Sequence, residues 1–518
     1  MELKSTSGNT EDLKLPIDKN PSIQINKTNM ISDEYNDSEI IIGLVGAIGV
    51  EYKEVKTRIK DRLINYFNYE VEEIRISTNV IEGLPIFSIL NESGHYNRIN
   101  HFMNIGNQAR ENYKDNSILA LGASKIINSK REKGKFRKAY IIDSLKHPDE
   151  VKLLREVYGQ GFYLVGVFSD FINRTNYLMK ELSMTSEEAK NLIQRDENDS
   201  IGGHGQHTSD TYHLSDFFVQ VDSNRDKLKA SIFRFLDIIF GKPTITPLFE
   251  EFAMFMAFTS SLRSADLSRQ VGAVLTKGDE IIATGANDAP KFGGGLYWPY
   301  IDTETNEYKD VEQGRDYTRG EDSNVIERLA IIDEILEKAS LADIEKDTLR
   351  EILHSSRLKD LIEFGRAVHA EMEVLMVCSR NNTSTKSGTL YCTTFPCHNC
   401  AKHIIAAGIE KVVYIEPYPK SKALDFHSES IRIGIKSNNK EEFTFFEPFI
   451  GIGPRKFFDL FSMNLGSGRT IKRKDKEGKL LNWDPKTSKP RVQLFPISYL
   501  DREIKATDIF DQLIKAQN

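Results

Sequence analysis

From Glu39 the chain reads EIIIGLVGAIG, an apolar run closed by glycines, and Val55, Ile59, Leu63 and Phe67 then follow at intervals of four. A continuous apolar run of strand length fits a strand buried on both faces, and a spacing of four fits one face of a helix. The segment therefore predicts strand, glycine-rich turn and helix. The pattern returns in KAYIIDSLKHPDEVKLLREVYG (138–159), read as strand, turn and helix, and in GFYLVGVFSD (161–170), another buried strand. Such strands alternating with amphipathic helices predict a mostly parallel sheet covered on both faces, placed at residues 39–242.

Residues 1–38, rich in Asn, Ser, Lys, Asp and Glu and without sustained periodicity, predict a mobile tail. Gly241–Pro247 (GKPTITP) breaks both periods and reads as a linker. A second α/β unit, 243–460, opens with a helix near 248–264 and the strand pair QVGAVLTKG and DEIIATGAN around a tight turn. A segment at about 291–365, containing GGGLYW and RDYTRGEDSN, reads as an insertion whose residues could cradle a nucleotide or simply make turns. Residues 461–518 form a C-terminal extension, polar and basic at 466–490, with VQLFPISYL as one more expected strand.

Composition adds limits. With 518 residues, 39% hydrophobic and 28% charged, the chain is ordinary globular material with length for about two to four domains. A net charge of −7 argues against a protein whose main task is to coat a nucleic-acid backbone. No run of about 18 uncharged apolar residues appears, so no membrane span is expected. All four cysteines lie between Cys378 and Cys400, which suits metal binding in a reducing compartment better than a disulfide framework. The expectation is a soluble, cytoplasmic protein.

The cysteine window carries the chemistry. Cys397 and Cys400 stand at i and i+3 at the start of a predicted helix, CHNCAKHIIAAG, so their thiolates share one face of its first turn. His369 opens another, VHAEMEVLMVCS, with Glu371 two residues on. Zinc takes four tetrahedral N or S ligands in structural sites, and three plus a water in catalytic ones. His369, Cys397 and Cys400 are the candidate ligands, with Cys392, His398 and His403 as candidates for a fourth. Taken singly, a Cys-x-x-Cys is more often a structural half-site and a His-x-Glu says less; taken together, they point to a catalytic centre. Three ligands with a carboxylate that does not bind the metal are what proton shuttling at a zinc ion needs.

His369-Ala370-Glu371 with Pro396-Cys397-His398-Asn399-Cys400 resembles the signature of the zinc-dependent cytidine deaminase superfamily, in which a zinc-activated water attacks C4 of cytosine and a non-ligand Glu moves the protons. The resemblance implies one Zn2+ per chain on His369, Cys397 and Cys400, with Glu371 as the catalytic acid and base. The flanking SADLSRQVGAVLTKGDEIIATGAND (264–288) and GTLYCTTFPCHNCAKHIIAAGIEKVVYIEPYPKS (388–421) resemble the deoxycytidylate deaminase branch. That likeness implies substrate contacts from Arg269, Asn287, Tyr418 and Lys420, with Asn287 at the sugar and Arg269, Lys420 or Lys422 at a phosphate. The plainer readings are a hairpin-closing turn for Asn287, core packing for Tyr418 and a solvated loop for Lys420 and Lys422. The rivals are an enzyme that deaminates cytidine or adenosine in RNA or single-stranded DNA, and a non-catalytic regulator with a structural zinc.

In the first unit, Gly43, Gly46 and Gly49 are read as following a buried strand and preceding a helix, the context of a phosphate-cradling loop. The lysine and Ser/Thr of a full phosphate loop are missing, and Glu51 would repel a phosphate. Asp143, ending its strand, resembles a magnesium-handling acid of P-loop proteins, and LIQRDENDSIGGHGQHTSD, with Arg195 and Asp196, resembles the lid of nucleotide kinases. The expected fold is α/β: a degenerate P-loop-kinase-like parallel-sheet domain with a regulatory role, followed by a cytidine-deaminase-like α/β/α sandwich. This order resembles the bacterial anti-phage dCTP deaminases. It implies conversion of dCTP or dCMP to the uridine forms, control by a bound nucleotide effector or a regulatory small RNA, and a homo-oligomer.

Overall fold

The computed structural model describes residues 37–494 apart from 90–92, 133–135, 199–204, 340–341, 362, 419–420, 435–441, 465 and 467–468. Nearly all of the expected N-terminal tail, and six of the nine residues of VQLFPISYL, lie outside the described residues; Val492–Leu494 carry no strand.

The first sheet contains β1 (Ile40–Val45), β2 (Glu70–Arg75), β3 (Lys138–Asp143), β4 (Phe162–Phe168) and β5 (Phe217–Gln220), all parallel, in the order β5-β4-β1-β3-β2. The central strand β1 explains the apolar run: Ile42 pairs with Ile141 on one side and Tyr163 on the other. Its side chains divide between two cores. Ile40, Ile42 and Leu44 pack with Val55, Ile59 and Leu63 of the helix Tyr52–Asn65, while Ile41 and Val45 pack with the helices Ile118–Lys130 and Pro148–Tyr158. The chain leaves β1 toward β2 but leaves β3 toward β4, on the opposite side. The crevice at the carboxyl ends of β1 and β3 is thus a topological switch point.

The second sheet is mixed. β6 (Gly272–Lys277) and β7 (Glu280–Ala286) form the expected antiparallel hairpin. A small hairpin, β8 (Tyr300–Ile301) with β9 (Tyr308–Lys309), and the helices Ser323–Lys338 and Asp343–Ser355 fill the insertion. Then β10 (Thr389–Thr394) pairs antiparallel with β6, and β11 (Lys411–Glu416), β13 (Thr444–Pro448) and β12 (Ile431–Ile433) continue in parallel, giving the order β12-β13-β11-β10-β6-β7. Helix Phe249–Ser261 covers one face through Ala253, Met254 and Ala257. Helices Ala370–Arg380 and His398–Ala406 cover the other through Val374, Leu375, Ala401 and Ile404.

The two sheets share structure. After β13 the chain adds β14 (Gly451–Ile452) antiparallel to β5, as the sixth strand of the first sheet. Phe218 of β5 in turn packs among Met254, Val274, Val413 and Phe449 of the second layer. Part of the C-terminal extension also returns to the first sheet's surroundings: the Arg491 amide donates to Ile239 O at 2.6 Å. No described helix is long and apolar enough to cross a membrane.

Candidate active site

The site forms where two helices begin above the carboxyl end of β10. His369 caps the helix Ala370–Arg380, and the approach to it is fixed by reciprocal backbone hydrogen bonds between Val368 and Asp288, just past β7 (2.9 and 3.2 Å). Cys397 caps the helix His398–Ala406, and the Cys400 amide donates to its Sγ at 3.4 Å. The turn between β10 and Cys397 is pinned at both ends: Phe395 N–H donates to Glu416 O at 2.7 Å, and Ser421 Oγ donates to Pro396 O at 2.8 Å. Strand ends and helix starts thus hold the donors, which gives a stiffer frame than a loop would.

His369 Nδ1 lies 3.3 Å from the sulfur of Cys397 and 3.3 Å from that of Cys400. The donor atoms of all three residues lie within 4.8 Å of one another. A tetrahedral zinc ion with ordinary Zn–S and Zn–N bonds spaces its ligand atoms about 3.5–3.8 Å apart, so one imidazole and two buried thiols gathered this closely fit that ion. Among the described residues, Cys392, His398 and His403 are not part of the group. Cys392 is buried in the core and His403 lines a separate depression with Met376 and Lys386.

The donor side chains shift one another's titration. The hydrogen bond from Cys400, and then that with His369, brings the Cys397 thiol down to about 4; its bond to Cys397, with burial, holds Cys400 well above the ordinary thiol value. The Cys397 hydrogen bond raises His369 to about 9. Burial first, and then the negative charge at Cys397, raises the Glu371 carboxyl. Glu371 is 4% exposed and faces the same cleft. A carboxyl shifted in this direction is suited to taking up and giving back a proton.

The cleft over this cluster is also lined by Arg269, Asn287 and Tyr418, so the structure brings three of the four expected substrate residues to the zinc ligands. The Arg269 guanidinium lies 5.2 Å from the Tyr418 ring centroid and 3.6 Å from the Glu416 carboxylate. Asn287 is committed to the protein: its Oδ1 accepts from Val271 N–H at 2.7 Å and its Nδ2 donates to Arg269 O at 2.9 Å. Lys420 lies outside the described residues. Lys422 pairs with Asp425 at 3.0 Å and is not among the lining residues.

Sequence reasoning missed the wall opposite. Asp316, Asp322 and Asn324 of the insertion line the cleft, and Arg366 joins them, bonded to Asp316 at 2.8 Å. The stretch RDYTRGEDSN, evenly balanced between cradle and turn on sequence alone, supplies the first three of these. Gly294, Gly295, Leu296 and Trp298 instead border a separate depression, where Arg263 lies 3.7 Å over the Trp298 ring.

The zinc-binding region of cytidine and deoxycytidylate deaminases matches residues 249–416, which hold four strands of the second sheet (β6, β7, β10 and β11), the insertion and both ligand-bearing helices. The deoxycytidylate deaminase of enterobacteria phage T2 is 30% identical over 167 residues, 32% of this chain and 79% of that protein. The chain belongs to the deoxycytidylate deaminase family. The phage T4 deoxycytidylate deaminase matches equally, 30% over 167 residues and 77% of its length, and the human one is 25% identical over 166 residues, covering 32% of this chain and 63% of that protein. In this deaminase family member the matched region ends at β11, so the first sheet, β12–β14 and the C-terminal extension lie outside it.

The other expected site lies at the switch point of the first sheet. Gly43 is not in the loop but inside β1, because the apolar run continues to Val45; an added Cβ there would meet Leu145 at 2.7 Å. Gly46 passes close to β4, where a Cβ would fall 2.5 Å from Val167 O, and Gly49 has φ +88° against Arg174. Packing accounts for these glycines without a phosphate. Asp143 ends β3 and is paired with Lys56 at 2.7 Å.

Proposed function

We propose that this protein is a zinc-dependent hydrolase that converts deoxycytidine nucleotides, dCTP or dCMP, to dUTP or dUMP with release of ammonia. The observation that carries the reading is a cluster of three metal-ligating donors with the buried Glu371 carboxyl in the same cleft. Bound zinc would supply the Lewis acid that activates water. The chain's own residues do the rest: Glu371 takes a proton from the attacking water and delivers it toward the leaving amino group at C4. Asn287 holds the Arg269–Val271 loop, and Arg269 with Tyr418 frames the nucleotide. Water adds to C4, the C4–N bond breaks and ammonia leaves, so atoms balance without a redox partner. A three-ligand set opening on a cleft favours this over a structural zinc, which would need a fourth protein ligand.

The finer reading has the enzyme deplete dCTP as an antiviral, anti-phage defence in the cytoplasm, as a homo-oligomer. The first sheet is a regulatory P-loop-kinase-like domain. Its five parallel strands and the glycine loop at their switch point support that domain reading, and the loop's lack of the phosphate lysine supports regulation over phosphoryl transfer.

The test is a chromatographic product assay with dCTP, dCMP, CTP, cytidine and a cytosine-containing oligonucleotide, on the wild type and Glu371→Gln. The expected result is uracil product from the deoxynucleotides alone, reduced about 10²–10⁴-fold in Glu371→Gln, with the zinc content of the variant unchanged. Product from the oligonucleotide alone would move the assignment to polymer editing. Equal activity in the variant would remove Glu371 from the chemistry.

A further inference from the structure

The carboxyl ends of β1 and β3 form a crevice of the kind in which open α/β sheets hold phosphates, with backbone amides and a helix N-terminus facing it. In this protein the crevice is filled by side chains. The Asp196 carboxylate, 2% exposed, accepts the Ile48 amide at 2.8 Å and is bonded to Lys146 at 3.2 Å and to the Thr208 hydroxyl at 3.1 Å. Lys146 also donates to Gly46 O at 2.9 Å, and Tyr52 donates to the same oxygen at 3.0 Å. On the β3 side, the Lys56 ammonium lies 2.7 Å from Asp143 and 3.0 Å from Glu73. Farther out, Glu51 is paired with Arg225 at 2.5 Å.

We infer that the loop after β1 is an anion site closed by the chain's own side chains: the Asp196 carboxylate stands where a phosphate would sit on the Ile48 amide and Lys146, and the Lys56 ammonium stands where a metal ion would sit on Asp143. A nucleotide phosphate entering here would have to displace a buried carboxylate from its cation, and once there it would face that carboxylate's charge. Breaking a buried, hydrogen-bonded ion pair is strongly unfavourable, and Asp196 comes from 148 residues away in sequence as part of the packed structure, not from a local turn. The domain therefore binds no nucleotide at this loop, and any regulation it exerts uses another surface. The inference rests on the geometry of the first sheet and stands apart from the deaminase reading.

The test is calorimetric titration of the full-length protein with MgATP and, separately, with inorganic pyrophosphate. The wild type is expected to bind neither below the millimolar range. Asp196→Asn keeps the shape but releases Lys146 and the Ile48 amide toward an anion, and is expected to bind pyrophosphate at least about tenfold more tightly than the wild type. Micromolar binding to the wild type that Lys146→Met abolishes would overturn the inference. So would a folded Asp196→Asn with no gain. Should Asp196→Asn fail to fold, hydrogen exchange on the wild type decides. The Ile48 amide is expected to be protected, with no change on adding millimolar MgATP; rapid exchange, or protection gained only with nucleotide, would sink the idea.

Discussion

Asn287 lines the cleft and is held in place there by its own side-chain hydrogen bonds. Both ends of its amide are bonded to the backbone of the Arg269–Val271 loop, and it is 5% exposed. Replacing it by Ala leaves a buried amide and a carbonyl without those partners, so Asn287→Ala is expected to cost about 1–3 kcal/mol in denaturant unfolding and to raise KM as the loop loosens. Arg269→Ala, at a half-exposed position, is expected to raise KM with little change in stability. A shift in KM for Asn287→Ala at unchanged stability would instead mark a direct substrate contact. The zinc donors were legible in the sequence because helix starts and i,i+3 spacing are local properties. The pair of hydrogen bonds from Asn287 to residues 269 and 271 was not, because it depends on how β7 returns beside the loop. The same holds for Arg366, which sits three residues before His369 but gains its place in the cleft only through Asp316, fifty residues upstream.

At the scale of elements, two contacts test why the helices sit where they do. Gly272 opens β6 beneath the helix Phe249–Ser261, where an added Cβ would lie 1.9 Å from Ala257 O, a backbone atom that cannot step aside alone. Gly272→Ala is expected to destabilise by about 3 kcal/mol or more, read as a fall in the urea midpoint, because the helix must lift from the sheet. The helix Pro148–Tyr158 is capped by His147, whose Nδ1 accepts the Asp149 amide at 3.1 Å. Burial, and then the positive charge of Arg110, lowers His147 from 6.5 to about 4. Folding therefore favours the neutral ring: this stabilisation is complete above pH 6.5 and is lost as the pH falls toward about 4. Between pH 7.5 and 4.5 the wild type is expected to lose about 2 kcal/mol more than His147→Asn, whose amide can cap the helix without titrating. Equal losses in the two proteins would show that the ring does not carry this pH dependence. These elements were read with unequal success. Alternating and continuous apolar runs marked β1, β3, β4 and the β6–β7 hairpin. The glycines after β1 marked a loop correctly, yet their cause is packing against Val167 and Arg174, which no local pattern reveals.

For the whole molecule, a boundary at 242 is natural in sequence, where GKPTITP breaks every period, but the structure ties the two sheets together across it. Glu251, with no exposed surface, sits in the helix over the second sheet, pairs with Arg234 of the helix Arg225–Ile239 at 2.7 Å and accepts the Ile452 amide of β14 at 2.9 Å. A buried carboxylate with a cation and a backbone donor from three separate segments makes the loss of any one of them expensive. Phe218 and Phe449, 5.7 Å apart between ring centroids, close the apolar side of the same junction. Sheets joined by a shared strand, a shared core and a shared buried charge should unfold together, so calorimetry of the wild type is expected to show one transition. Glu251→Ala removes the charge that β14 and Arg234 both need and is expected to cost about 3–5 kcal/mol. Because that loss falls at the junction and not within either sheet, the variant is expected to split the single transition into two. Two resolved transitions already present in the wild type would mean that the sheets are energetically independent, and a signal generated on the first sheet would then have no packed route to the deaminase cleft.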